Sequence, residues 1–298
     1  MNKDLPDEML LEIFSNLGIR TLTRTCRLVC KRWRAIVTLV MPEQLVIRDD
    51  YYRAERHWYH SNEPIDEQSV LTDFNPTHFD RIPFSLTRLR RLAIRSDLDR
   101  FDLTILNELK RLRHLELSLV NLKEDQTLVL PALKVLNLLG VTQRRLRVES
   151  PNLEVLACWF GLGMISLSNP KTIRLLHLAY GSSGDWRVLR IFENVTVFIT
   201  NHPNSLSKAI MEQLPRLKQL RLMKDQEPNL FNFKLTAGQI DQLFEQRRSL
   251  RSGPDPQIFF NDTLLEDERT FRDRRFIVKH FNCFQVSKQF EFSGRRSN

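Results

Sequence analysis

The chain has 298 residues, of which 42% are hydrophobic and 27% charged. This is the balance of an ordinary globular protein with room for one large domain or two smaller ones. No apolar run reaches the roughly 18 residues of a membrane span, and the opening MNKDLPDE carries acids where a secretion signal would carry bases. The net charge of +9 favours acidic partners, but the basic residues are spread along the chain, so nucleic acid is not the expected partner.

The first 40 residues read as a helical unit. Pro6 suits the first turn of a helix, and Asp7 and Glu8 follow at the positive end of its dipole. Met9, Leu10, Ile13, Phe14 and Leu17 recur at helical spacing, and Gly18 marks the stop. A second apolar series, Leu22, Cys26, Val29, Trp33, Ile36 and Val40, advances in steps of three or four. Arg20, Arg24, Arg27, Lys31, Arg32 and Arg34 fill the other positions. It forms one helix, or two with a break near Val29-Cys30. A unit this small rarely stabilises itself without metal, disulfide or partner, so it must dock on its own chain or on another protein.

The four cysteines are Cys26, Cys30, Cys158 and Cys283. Cys26 and Cys30 lie one helical turn apart, but no further ligand stands near enough to complete a metal site. Reduced, buried thiols in a cytoplasmic or nuclear protein are the expectation.

The pattern Leu5-Pro6-Asp7-Glu8, Leu10, Ile13-Phe14, Leu17, Leu22, Val29-Cys30 and Trp33-Arg34 resembles an F-box. The resemblance covers about 40 of the 298 residues. It departs in the loop, where Gly18-Ile19-Arg20-Thr21 stands in place of the family's Asp-Pro-x-Asp. It implies docking on a Skp-type adaptor and, through it, on a cullin–RING ubiquitin ligase. By position, Leu5, Pro6, Ile13, Phe14, Leu17, Val29, Cys30 and Trp33 are the expected adaptor-binding residues or their immediate support. The sequence leaves open which of them face the adaptor and which pack inside.

After Met41-Pro42 the pattern changes. Leu45-Val46-Ile47 reads as a short strand. His57-Trp58-Tyr59-His60 offers two metal-ligating side chains without a third, which points to an irregular loop. Then the form LxxLxL recurs, beginning at Leu89, Leu112, Leu133, Leu153, Ile173 and Leu217, with steps of 23, 21, 20, 20 and 44 residues. The segment from Phe192 to Val197 falls inside the double step. This period resembles leucine-rich repeats: each unit gives one short strand, and stacked units share a core that none could build alone. Pro131, Pro151, Pro170 and Pro215 precede strands and stop the returning segments. Only Asn121 fits the family's bonding slot after the strand, so an irregular solenoid is expected. Gln257 to Phe260 reads as a last strand, Arg269 to Val286 as a capping helix, and Ser293 to Asn298 as a disordered tail.

The expected fold is therefore α+β. A helical F-box domain at 1–42 precedes a leucine-rich-repeat solenoid of short parallel strands at 43–262, then a cap and tail at 263–298. In such a stack the residues between the inward leucines face solvent. They offer Arg91, Arg95, His114, Glu116, Asn137, Trp159, His177, Phe198 and Arg221 as target-binding positions. Among them Trp159 is an apolar anchor of the kind common at interfaces. No phosphate-cradling glycine loop, no Gly-x-Ser-x-Gly elbow and no His-Glu-x-x-His motif occurs. Cys158 occupies a core slot of a repeat. The expectation is a non-catalytic substrate receptor of an SCF-type ligase, with no cofactor, no membrane association and one unidentified target protein. The competing expectation is a scaffold or RNA-associated module using Arg88, Arg90, Arg91, Arg95, Arg111, Arg113, Arg144, Arg145 and Arg147.

Overall fold

A computed structural model describes residues 5–18, 21–41, 43–48, 70–71, 88–122, 124–139, 144–158, 162–178, 186–200, 213–222, 257–260 and 263–265. The segments expected to form a C-terminal helix and tail, the segment around His57 and His60, and Trp159 lie outside the described residues.

Helix α1 (Asp7–Ser15) begins one residue later than Pro6, which sits outside it as an extended N-cap (φ −57°, ψ 152°). Asp7 and Glu8 occupy the first turn, where negative charge complements the helix dipole. At the other end Ser15 Oγ (2.7 Å) and Asn16 Nδ2 (2.9 Å) both donate to the Glu12 carbonyl, satisfying a group the helix leaves open. A wide π-helical turn, Leu22–Cys26, leads into the single turn α2 (Arg27–Val29) and then α3 (Lys31–Val40). The break falls at Cys30, which is extended (φ −161°, ψ 171°). Its Sγ accepts from the Trp33 N–H at 3.4 Å and so caps α3.

The strands follow in chain order. β1 (Gln44–Arg48), β3 (Arg91–Phe101), β4 (His114–Leu122), β6 (Val135–Leu139), β8 (Val155–Cys158), β10 (Leu175–Leu178), β11 (Val197–Thr200), β12 (Gln219–Leu222) and β13 (Gln257–Phe260) lie side by side and parallel. β2 (Val70–Leu71) pairs with β1 at one edge, and β14 (Thr263–Leu265) pairs antiparallel with β13 at the other. A second parallel sheet holds β5 (Gln126–Val129), β7 (Leu146–Glu149) and β9 (Ile165–Leu167). Among the described residues, the return segments between strands of the large sheet are strands of the small sheet or short 3-10 turns, such as Leu103–Glu108 and Trp186–Ile191.

The leucine pattern explains the stacking. Leu92, Leu115, Leu136, Leu156, Leu176, Phe198 and Leu220 hold equivalent positions on seven strands paired in register, and all are buried. The first-slot residues Leu89, Leu112, Leu133, Leu153, Ile173, Val195 and Leu217 are buried beside them. A strand of four or five residues cannot cover its own leucines, whereas its neighbours can.

One repeat differs from its sequence reading. Phe198↔Leu176 and Thr200↔Leu178 are the register partners, so the repeat runs Val195-x-x-Phe198-x-Thr200. It starts three residues after Phe192, 22 residues from Ile173 and 22 from Leu217. Phe192, Val195 and Val197 fit the apolar pattern in the earlier frame, whereas the observed frame places the polar Thr200 in its last slot. The backbone decides, because the N–H groups of Thr196 and Val197 both donate to the Arg174 carbonyl (2.8 and 3.1 Å). Phe198, expected on the open face, is instead a fully buried core residue.

Side chains stitch successive turns together. Asn152 Nδ2 donates to the Pro131 carbonyl at 2.8 Å and Asn194 Nδ2 to the Lys171 carbonyl at 2.7 Å. Buried Ser150 Oγ donates to the Leu133 carbonyl at 2.9 Å. Asn107 bonds both the Thr127 carbonyl (3.2 Å) and the Val129 N–H (2.6 Å) of β5. These bonds sit before the strands and in the return segments, not in the slot after the strand that the family pattern uses.

Phe198→Ala should cost about 3–5 kcal/mol in a urea or guanidinium unfolding titration, the range for truncating a fully buried aromatic ring. A loss under about 1 kcal/mol would return Phe198 to the surface.

Candidate functional site

The helical unit buries one face and exposes another. Leu10 and Phe14 of α1, Leu22 and Cys26 of the π-turn, Ile36 and Val37 of α3, and Met41 join one continuous core with Leu45, Ile47 and Leu92. The Phe14 and Trp33 rings meet edge to face, centroids 4.9 Å apart at 71°, a favourable aromatic geometry. Phe14 is thus internal, and Trp33 is half-buried against it. Trp33 Nε1 is buried and finds no hydrogen-bond partner among the described residues.

Arg32 ties the two ends of this unit together. Its Nε and Nη2 both stand 2.7 Å from Asp7 Oδ1, and Nη2 also donates to the Leu5 carbonyl. The Leu5-Pro6 entry is thereby held against α3. Sequence reading assigned Arg32 only to the basic face. Its position 25 residues from Asp7 gives no local signal of this bridge.

Five other large apolar side chains of this unit are open to solvent. Met9 (50% exposed) and Ile13 (46%) stand one turn apart on α1, Leu28 (70%) and Val29 (48%) on α2, and Leu39 (56%) on α3. Among the described residues only Ile191 is another large apolar side chain so exposed. Of the eight expected adaptor-binding residues, Pro6, Ile13, Val29 and Cys30 are exposed, Leu5, Leu17 and Trp33 are half-buried against the core, and Phe14 is inside. Sequence reading passed over Leu28 as a binding position and grouped Met9 with the helix's apolar series. Their signal was present: Met9 and Ile13 lie on a different side of α1 from Leu10 and Phe14.

The cysteines of this unit have other places in the fold. Cys26 is buried, and burial pushes its thiol pKa up, while Cys30 caps α3. No group of three or more metal-ligating side chains occurs among the described residues. No helix among them is long and apolar enough to cross a membrane.

The strand face expected to meet a target is not open. His114 (5%), Glu116 (3%) and Asn137 (3%) are buried, together with Val135, Val155, Leu175, Val197 and Ile199, which form a second apolar cluster. Arg91 and His177 are half-buried, as is Arg221, which donates to Gln219 Oε1 from Nε (3.2 Å) and Nη2 (2.9 Å). The side chain of Arg95 lies outside the described residues. The physical reason is that parallel strands covered on both faces are apolar on both faces, as in the fully buried VLAC of β8 and VFIT of β11. The arginine stripe is divided as well. Arg91 lies on β3 of the large sheet, whereas Arg147 lies on β7 of the small one and pairs with Glu149 at 2.9 Å.

Burial lowers the pKa of His114 to about 4, with Arg91, Arg113 and Lys134 adding to the effect. His177 is half-buried as a residue, but its ring Nδ1 is shut off from solvent, and burial alone lowers its pKa to about 4.

Residues 3–39 match a family model described as F-box-like. No curated protein matches the chain.

Because both imidazoles are neutral when folded and titrate near 6.5 when unfolded, the unfolded chain binds more protons on acidification. Stability should therefore fall from about pH 6.5 down toward about pH 4. Unfolding midpoints measured across this range check the trend, and His177→Leu should make the slope shallower. A midpoint that rises toward acid would contradict the burial of these rings.

Proposed function

We propose that the chain is the substrate-receptor subunit of an SCF-type ubiquitin ligase. In this reading the F-box-like segment docks on a Skp-type adaptor and so on a cullin–RING ligase. The strands form a leucine-rich-repeat solenoid, spanning roughly 43–262, that binds a target protein. The observation that carries the proposal is the apolar surface of Met9, Ile13, Leu28 and Val29, left open on a unit whose other face is already used by its own chain. F-box-like domains generally present such a surface to Skp-type adaptors, which supports this partner.

The mechanism is proximity. Holding a target on the strand region while the helical unit is anchored to the ligase converts transfer into an effectively intramolecular encounter. The receptor performs no chemistry, needs no cofactor and acts in the cytoplasm, the nucleus or both. The residues of the unit divide into two roles: Ile13, Val29 and their neighbours contact the adaptor, while Phe14, Trp33 and Arg32 hold the contact face in shape.

Ile13→Asp combined with Val29→Asp should abolish capture of a co-expressed Skp-type adaptor. The unfolding free energy should stay within about 0.5 kcal/mol, because both side chains are exposed. Undiminished capture by this variant would sink the assignment. Arg32→Ala should weaken capture and cost less than about 1 kcal/mol of stability, the range for an exposed ion pair.

A further inference from the structure

A second surface lies at the ends where the strands of the large sheet begin. Glu154, Arg174, Thr196 and Lys218 each immediately precede a strand, β8, β10, β11 and β12 in turn. Their backbones form a lateral ladder: the N–H of Arg174 donates to the Glu154 carbonyl, that of Thr196 to Arg174, and that of Lys218 to Thr196, each at 2.8 Å. The residues are therefore fixed side by side at the strand spacing, about 4.8 Å. Two residues earlier on each chain segment, Asn152, Thr172, Asn194 and Arg216 make a second row. Between them runs a groove of about 590 Å³.

The charge of this groove is one-sided. Lys171, Arg174, Arg216 and Lys218 line it against one acid, Glu154. Glu154 is occupied by Lys134 at 3.1 Å, and Lys171 by Glu193 at 3.0 Å. Arg174, Arg216 and Lys218 form no ion pair among the described residues. Three cations held near one another, none in an ion pair among the described residues, repel each other, and an anionic ligand relieves that repulsion.

The rest of the lining discriminates among anionic partners. Among the described residues no aromatic side chain lines the groove, so none of them can stack on a base, the usual sequence-tolerant grip on single-stranded nucleic acid. Glu154 interrupts what would otherwise be a continuous track for a phosphodiester backbone. The Nδ2 atoms of Asn152 and Asn194 are spent on backbone carbonyls, which leaves their Oδ1 atoms as acceptors for peptide N–H groups. Arg174 and Lys218 stand two strands apart, about 10 Å. Alternate side chains of an extended peptide repeat at about 7 Å, and long basic side chains reach anionic groups at that interval.

We infer that this groove binds an extended anionic peptide segment, its carboxylate or phosphate side chains held by Arg174, Arg216 and Lys218. This surface is separate from the apolar face of the helical unit, and its peptide binding does not depend on the adaptor reading.

The test measures fluorescence anisotropy of labelled peptides on the full-length chain. The probes are a Glu-rich peptide, a phosphoserine-bearing peptide, a Lys-rich peptide of equal length and an oligo-dT strand. Expected is binding of one or both anionic peptides, weakened by salt, with no binding of the Lys-rich peptide. Their relative affinities separate the carboxylate source from the phosphate source. The triple variant Arg174→Glu, Arg216→Glu, Lys218→Glu should weaken the anionic peptide about tenfold or more, while Arg147→Glu on the small sheet leaves it unchanged. Should the triple variant fold poorly, Glu154→Gln provides the second arm, because removing the one acid should tighten the anionic peptide about twofold or more. The inference is overturned if neither anionic peptide binds, if the triple or the Glu154→Gln variant binds as the parent does, or if oligo-dT binds more tightly than both peptides.

Discussion

The mutual burial of leucines across neighbouring strands is the constraint from which the rest of this structure follows. Leu115, Leu136, Leu156 and Leu176 each lie on a strand too short to bury them, and each is fully buried because the next strand in the chain repeats the same position. The demand for a neighbour ends only where something else supplies apolar surface. Ahead of β1 that surface comes from the helical unit, whose Phe14, Ile36, Val37 and Met41 enter the same core as Leu45 and Ile47. The small helices are thus not a free-standing domain in energetic terms. Their inner face is part of the stack, and this leaves their outer face as the surface they can offer to another polypeptide.

Two kinds of surface are produced by this one arrangement. The helical unit exposes apolar groups on a frame held by the Phe14–Trp33 contact and by Arg32. The strand-start edge exposes charge, because residues just ahead of each strand cannot reach the core and are free to be polar. Arg90, Arg113, Lys134, Arg174 and Lys218 all hold that position. An apolar face suits a lasting interface, whereas an exposed charged edge suits a partner that is steered in and released. In the proposed reading the first would grip the ligase durably and the second would hold the target exchangeably.

Much of this was legible in the residues. The LxxLxL spacing located β3, β4, β6, β8, β10 and β12, while the apolar series left open one helix or two, and the extended Cys30 decides for a break. The frame of β11 was missed because Phe192-x-x-Val195-x-Val197 satisfies the apolar pattern, whereas the observed frame ends in the polar Thr200 and is marked by its even 22-residue spacing and by the backbone pairing to Arg174. The solvent exposure of His114, Glu116 and Asn137 was misjudged for a different reason. Period-2 reasoning assigns one face of a strand to water, yet runs such as Leu153-Glu154-Val155-Leu156-Ala157-Cys158 are apolar on both faces, the signature of a sheet covered twice. The strand-start groove escaped notice because its residues come from segments about 20 residues apart, and only stacking brings them together.

The central claim is that the outer face of the helical unit is an unfinished core awaiting a second chain. Isothermal titration of a Skp-type adaptor into the full-length protein at several temperatures addresses it most directly. The account predicts one-to-one binding with a clearly negative heat-capacity change, the mark of apolar surface leaving water. Absence of binding, or binding whose heat does not vary with temperature, would contradict it.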